Sequence, residues 1–327
     1  MKKILFRADA APHIGIGDLM SLLNLSKYFS DCKIYFIIKN YRAGVELMAK
    51  HNAKNCYSIN SDISIEEEVK FINSFINEKN IDMVFFEITE RKLSDYVSIS
   101  KDVKKVAVNF DEHILDDLSL LIDWDVSANK YFDVSKYPNT KFLLGPEFVI
   151  LPKDFYSNKV LNRKNELNNK KLLIAMGGAD EFNFTCKIVK LIIKYNLDFE
   201  LNIIIGSGYE FRKDLEYNLK KSNLKYVIKE NITNMLDEYL NCDIGIGAGG
   251  LTSSELIATK TSAILIATYK HQVDRCEYFS DMGWANYLGF KSFNEEDLIS
   301  AIKNPIKPTG HMIFNTNKIK EMVDELL

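Results

Sequence analysis

The 327 residues carry 42 Lys and Arg against 45 Asp and Glu, a formal charge of -3, and are 46% hydrophobic and 27% charged. A chain of this length holds apolar material for two ordinary domains, each with its own core. The near-balanced charge gives no global drive toward nucleic acid or an anionic membrane, and no run reaches the roughly 18 apolar residues of a membrane-spanning helix.

In chain order, "KILFRA" reads as a strand, the glycines of "HIGIGDLM" as a turn, and "LMSLLNLSKYF" as a helix, with apolar residues at Leu19, Leu22, Leu23 and Phe29. The alternation repeats through "KIYFIIK", the mixed stretch after Arg42, the helical "SIEEEVKFINSFINEKN", the strand "IDMVFFEIT" and the strand "KKVAVNF". Each strand is a short, continuously apolar run suited to a sheet covered on both faces. The polar "SNKVLNRKNELNNKK" then predicts a linker over 157–169. Beyond it the rhythm restarts with "KLLIAMGGAD", "TCKIVKLIIKYN", "FELNIIIGSG", "YVIKE", "ITNMLDEYLNC", "DIGIGAGG", "LTSSELIATK" and "SAILIA". The fold class is α/β: two Rossmann-like, doubly wound domains, one over 1–157 and one over 158–327.

The scattered cysteines Cys32, Cys56, Cys186, Cys242 and Cys276 lack metal-site spacing and read as reduced core residues. "MKKILFRAD" contains no secretory apolar region. The expectation is a cytoplasmic protein without a metal or a cofactor.

Glycine turns end four of these strands: Gly15 with Gly17, Gly177 with Gly178, Gly206 with Gly208, and Gly247 with Gly249 and Gly250. Glycine at a strand's carboxyl end lets backbone approach a phosphate, and the following helix offers free N–H groups at its positive end. In "CDIGIGAGGLTSSELIATK", Gly249 and Gly250 open the helix and Thr252 and Ser253 add hydroxyls. Glu255 lies one turn in, where a carboxylate accepts hydrogen bonds from a ribose diol. The alternative is a capping box in which "TSSE" merely closes the helix. A dinucleotide-dependent oxidoreductase is excluded, because no first turn has the full G-x-G-x-x-G set with a ribose-binding acid about 20 residues on.

The run "D-I-G-I-G-A-G-G-x-T-S-x-E", followed by "SAILIA" and "HQVDRCEYFSDMGWANYLG", resembles the donor-binding region of the N-acetylglucosaminyltransferase of peptidoglycan synthesis and its relatives. With "FRADAAPHIGIGDLM", "FLLGPEFVILPKDF" and "AMGGADEFN" added, the chain more closely resembles the UDP-2,4-diacetamido-2,4,6-trideoxy-β-L-altropyranose hydrolase family of pseudaminic acid biosynthesis and related spore-coat polysaccharide proteins. The resemblance implies the GT-B architecture, a UDP-sugar held between two domains, and no required metal. That family typically reads Ile-Gly-x-Gly-His-x-x-Arg in the first turn, the His being catalytic. Here Asp18 stands at the His position and Ser21 at the Arg position.

Asp18 is therefore either a general base toward water or a sugar hydroxyl, or a charge complementing the helix that follows. His13, in the same turn, is a second candidate for proton exchange. Arg7 and Asp9 match the family's first-strand Arg-x-Asp and either shape the pocket or form a structural pair. Glu87, and Asp111 with Glu112, sit at strand carboxyl ends, where open sheets put ligand-contacting groups, and are equally readable as caps or loop charges. Lys270, His271 and Gln272 follow "SAILIATY" where the family contacts sugar or phosphate. The expected activity is hydrolysis of a UDP-linked amino sugar for bacterial surface glycan, of the nonulosonic acid type, with release of UDP. The alternatives are a metal-independent glycosyltransferase with a sugar acceptor, and a binding protein without turnover.

Overall fold

The computed structural model describes residues 1–11, 13–110, 115–163, 170–206, 208–230, 232, 234–306 and 314–327. Its contacts divide it into two compact units, one formed by Met1–Lys153 with Phe314–Leu327, the other by Asp154–Ile313. Each unit is built on one sheet in which every pairing is parallel.

In the first unit, strands β1 (Lys3–Ala8), β2 (Lys33–Lys39), β3 (Cys56–Ile59), β4 (Met83–Glu87), β5 (Lys104–Val108), β6 (Leu120–Asp123) and β7 (Lys141–Leu144) lie in the order β3-β2-β1-β4-β5-β6-β7. β1 and β4 are buried almost throughout, because helices cover both faces; this is why both read as unbroken apolar runs. The chain winds one way from β1 and the other way from β4, so the strand order reverses between them, with Ala8 opposite Glu87 at their carboxyl ends. Such a reversal leaves a crevice in which doubly wound sheets bind ligands. The helix Ile65–Lys79 begins at a capping box between Ser64 and Glu67 and ends at Asn80, whose φ of 51° stops it.

The second unit contains β8 (Lys171–Ala175), β9 (Glu200–Ile205), β10 (Tyr226–Glu230), β11 (Ile244–Ala248), β12 (Ser262–Ala267) and β13 (Ala285–Phe290), in the order β10-β9-β8-β11-β12-β13. Here the reversal falls between β8 and β11, so the Gly177–Gly178 and Gly249–Gly250 turns flank one crevice. Gly206 and Gly208 serve packing instead. A Cβ on Gly206 would lie 2.1 Å from the Gly178 carbonyl oxygen, and Gly208 N–H donates to that same oxygen at 3.1 Å. Only glycine allows two loops to approach this closely.

The division differs from 157/158 in two respects: the units part between Lys153 and Asp154, and the C-terminal segment returns to the first. The helix Thr316–Leu326 belongs to the first unit, where it buries Ile319 and Val323. It is held by Thr316 Oγ1 donating to the Val149 carbonyl (3.2 Å) and Asn315 N–H donating to the Glu147 carbonyl (2.6 Å). Part of the expected linker, 164–169, lies outside the described residues. Among the described residues no helix is long and apolar enough to cross a membrane.

Candidate functional site

The helix Leu251–Ala258 starts directly from the carboxyl end of β11. Its N-cap is Gly250, and no side chain caps it. The capping box that "TSSE" spells is not formed: Ser253 Oγ donates back to the Gly250 carbonyl at 2.6 Å, and Glu255 accepts from the Tyr239 hydroxyl at 2.6 Å. The other helix at this reversal, Phe184–Lys194, is closed by its own chain. The Asp180 carboxylate accepts from Phe184 N–H and Thr185 N–H, both at 2.8 Å, and burial raises its pKa. One helix start is thus capped by a carboxylate, whereas at the other no side chain accepts from the first turn and Ser253 N–H donates to the Gly250 carbonyl at 3.1 Å.

The residues around that open start have distinct roles. A Cβ on Gly249 would lie 2.5 Å from Cys276 Sγ and 2.8 Å from Gln272 Cβ, so this glycine is dictated by the helix Val273–Asp281 packed against it. At Gly250 the nearest atom to such a Cβ is Gln272 Nε2, at 3.6 Å. Gln272 is buried, and its carbonyl oxygen accepts from Thr268 N–H (2.9 Å) and Thr268 Oγ1 (3.0 Å). Its amide nitrogen is thereby aimed at the helix start. Gly177, with a φ of 90°, and Gly178 both border open space. The Thr252 methyl packs beneath Gly247, and Ser253 is buried. Burial raises the Glu255 pKa. His271 is exposed and stacks on Tyr269 with ring centroids 5.8 Å apart.

In the first unit, the helix Gly17–Ser26 starts beside the β1/β4 reversal. Asp18 lies in its first turn but does not cap it; its Oδ2 accepts from Thr89 N–H (2.9 Å) and Thr89 Oγ1 (2.7 Å) in the loop after β4. Burial raises the Asp18 pKa against those hydrogen bonds. Glu87, 3% exposed, accepts from Asn109 Nδ2 at 2.9 Å and is hydrogen-bonded to the Ser21 hydroxyl. Burial, and then the charge of Asp18, push the Glu87 pKa well above the usual carboxylate range. Ser21 Oγ also donates to the Asp18 carbonyl at 3.0 Å. Ser21 and Asn109 are not site candidates from the sequence; Ser21 is marked there only as the residue at the family's Arg position, and Asn109 has no signal.

The remaining candidates fall into two other groups. Arg7, wholly buried, donates to Glu68 (2.8 Å) and Asp9 (2.6 Å), and Glu68 also accepts from Tyr96 OH (2.8 Å). Burial would lower the Arg7 pKa, but Asp9 and Glu68 outweigh it and hold the guanidinium charged. This is an ion-pair network inside the fold. His13 Nε2 is 2.8 Å from Glu90 Oε1, and Glu90 also accepts from Lys39 Nζ at 2.9 Å. Partial burial opposes the ionisation of Glu90, yet Lys39 and His13 bring its pKa down to about 2. His13 is thereby tied to Glu90 on the rim. Gly15, with a φ of 81°, bridges to Ala11, and Gly17 is the first residue of its helix. Asp111 lies outside the described residues.

The glycosyltransferase family 28 C-terminal domain matches residues 154–324, more than half of the chain. MJ1062, an uncharacterised protein of Methanocaldococcus jannaschii, is 23% identical over 295 residues, which cover 84% of this chain. The chain spans 57% of that relative's length. Among solved structures, MurG of Acinetobacter baumannii matches with a TM-score of 0.62 at 14% identity, covering 100% of this chain and 94% of its own. The UDP-GlcNAc 2-epimerase of Methanocaldococcus jannaschii matches with a TM-score of 0.61 at 15% identity, covering 98% and 99%. The Neisseria meningitidis UDP-GlcNAc 2-epimerase, solved bound to UDP-GlcNAc, matches with a TM-score of 0.61 at 14% identity, covering 99% and 100%. At these identities the likeness is one of fold, the GT-B type. With its sheets, its open helix start and the matched segment, the chain belongs to the glycosyltransferase family 28 C-terminal domain family.

Proposed function

We propose that the protein is a nucleotide-sugar enzyme that breaks the anomeric C–O bond of a UDP-linked amino sugar and releases UDP. The observation that carries this reading is the uncapped start of the helix Leu251–Ala258, which lies inside the matched family segment. The first-turn N–H groups and the helix dipole accept the diphosphate, Gly250 lets it approach, and the Gln272 amide nitrogen donates to it. Glu255 takes the ribose hydroxyls. As the bond breaks, the leaving diphosphate gains negative charge at a site already built for it, which lowers the barrier.

The resemblance to the hydrolase family assigns proton transfer to the turn that carries Asp18. Asp18 takes a proton from water as the water oxygen bonds to the anomeric carbon; the anomeric C–O electron pair leaves with UDP. Burial, and then the charge of Asp18, raise the Glu87 pKa, which favours Asp18 as the anion of the pair. The finer reading, a hydrolase of the pseudaminic acid type, rests on the resemblance of "FRADAAPHIGIGDLM" to that family, with Asp18 in the histidine position. The matched family's description favours a second reading, in which a sugar hydroxyl replaces water as the acceptor.

Incubation with UDP-linked amino sugars tests these readings. UDP released without an acceptor supports hydrolysis, and UDP released only when an acceptor is added supports transfer. Thermal stabilisation by UDP with no release under either condition leaves a binding protein. No stabilisation by UDP removes the nucleotide-sugar reading altogether.

A further inference from the structure

Tyr239 is wholly buried on the short helix Leu236–Leu240. Its ring packs edge-on against Phe155, with centroids 6.2 Å apart, and its backbone carbonyl accepts from Cys242 Sγ (3.2 Å) and Thr261 Oγ1 (3.3 Å). Ring and backbone are thus fixed by the fold, while the hydroxyl reaches under the helix Leu251–Ala258. There it donates to Glu255 Oε2 at 2.6 Å and lies against the Thr252 side chain. A buried hydroxyl at that distance from a carboxylate makes a short, charge-assisted bond, one that fixes the rotation of a flexible side chain.

We propose that Tyr239 is a positioning residue: its hydroxyl holds the Glu255 carboxylate in the one orientation that receives both ribose hydroxyls, making this unit selective for ribonucleotides. The inference rests on the UDP reading and deepens it. An ionised carboxylate has about four acceptor positions. Tyr239 occupies one on Oε2, and the ribose 2′ and 3′ hydroxyls occupy two of the rest. A nucleotide lacking the 2′ hydroxyl leaves a desolvated carboxylate position unpaired, a large penalty because nothing replaces the water that was lost. Without Tyr239's hydroxyl the carboxylate turns, neither nucleotide is gripped, and the difference between them shrinks.

Calorimetric titration with UDP and 2′-deoxy-UDP tests this on the full chain. The wild type is expected to bind UDP about tenfold or more tightly than the deoxy form, the scale for an unpaired charged acceptor. Tyr239→Phe keeps the ring, weakens UDP binding by about tenfold, and brings the UDP to deoxy-UDP ratio close to one. Glu255→Ala does the same. Equal affinities for the two nucleotides in the wild type would overturn the inference without need of a variant that folds. So would a Phe variant that keeps both the UDP affinity and the ratio while Glu255→Ala loses them. If Glu255→Ala also binds UDP like the wild type, the ribose role of Glu255 falls and the inference with it while the UDP reading stands; if the wild type binds none, the UDP reading itself falls.

Discussion

Replacing Glu87 by Gln tests the electrostatics of the first unit without knowledge of the substrate. Glu87 is 3% exposed and hydrogen-bonded to two neutral groups, the Ser21 hydroxyl and the Asn109 amide. The charges that face it, Asp18 and then Asp123, are negative, and with burial they raise its pKa. A carboxyl whose pKa is raised by folding contributes stability below its unfolded value near 4.5, and that contribution is lost as pH rises toward the folded pKa. The loss proceeds at about 1.4 kcal/mol per pH unit. The substituted glutamine would mimic the neutral acid and would not titrate. Urea unfolding of the two proteins across a pH series is the assay. They should have similar stability near pH 4.5. Above it the wild type should fall behind at the slope given until Glu87 ionises, after which the gap is constant. Parallel stability curves over the whole series would refute the reasoning, because they would mean Glu87 titrates alike in the folded and unfolded chain.

Asp18→Asn should lower UDP release about 100-fold, the scale of a lost general base, with UDP affinity unchanged by calorimetry. Gly249→Ala forces a methyl to 2.5 Å from Cys276 Sγ and should cost about 1–3 kcal/mol in urea unfolding. Gly250→Ala meets nothing closer than 3.6 Å; it should cost less stability than Gly249→Ala and weaken UDP binding, read by titrating both variants. Asp180→Ala removes the two-bond cap of the helix Phe184–Lys194 and should cost about 1 kcal/mol, measured the same way.

What could be read from the sequence followed from burial. Strands covered on both faces, such as β2 and β12, appear as unbroken apolar runs, and their alternation with helices implies parallel pairing. β13 was harder to see, because it is only half-buried and its register shifts between Leu265 and Ala267. The site was legible only where its contacts are local. "TSSE" spells a capping box, yet the helix begins at Leu251 with Gly250 as its cap, which shifts Thr252 out of the capping position and lets its methyl pack beneath Gly247. Asp18 with Thr89, and Ser21 with Glu87, meet across 71 and 66 residues of chain, and no local pattern announces such pairs.

The helix Thr316–Leu326 has a consequence for how the protein is made. A ribosome delivers the first 153 residues early, but the unit they form stays incomplete until this helix emerges, after all of Asp154–Ile313. The second unit, contiguous in sequence, therefore has all its residues available first, and the earlier-translated half waits with the surface for Ile319 and Val323 uncovered. Expression of 1–153 alone should give an aggregation-prone product, and co-expressing 314–327 as a separate peptide should restore its solubility.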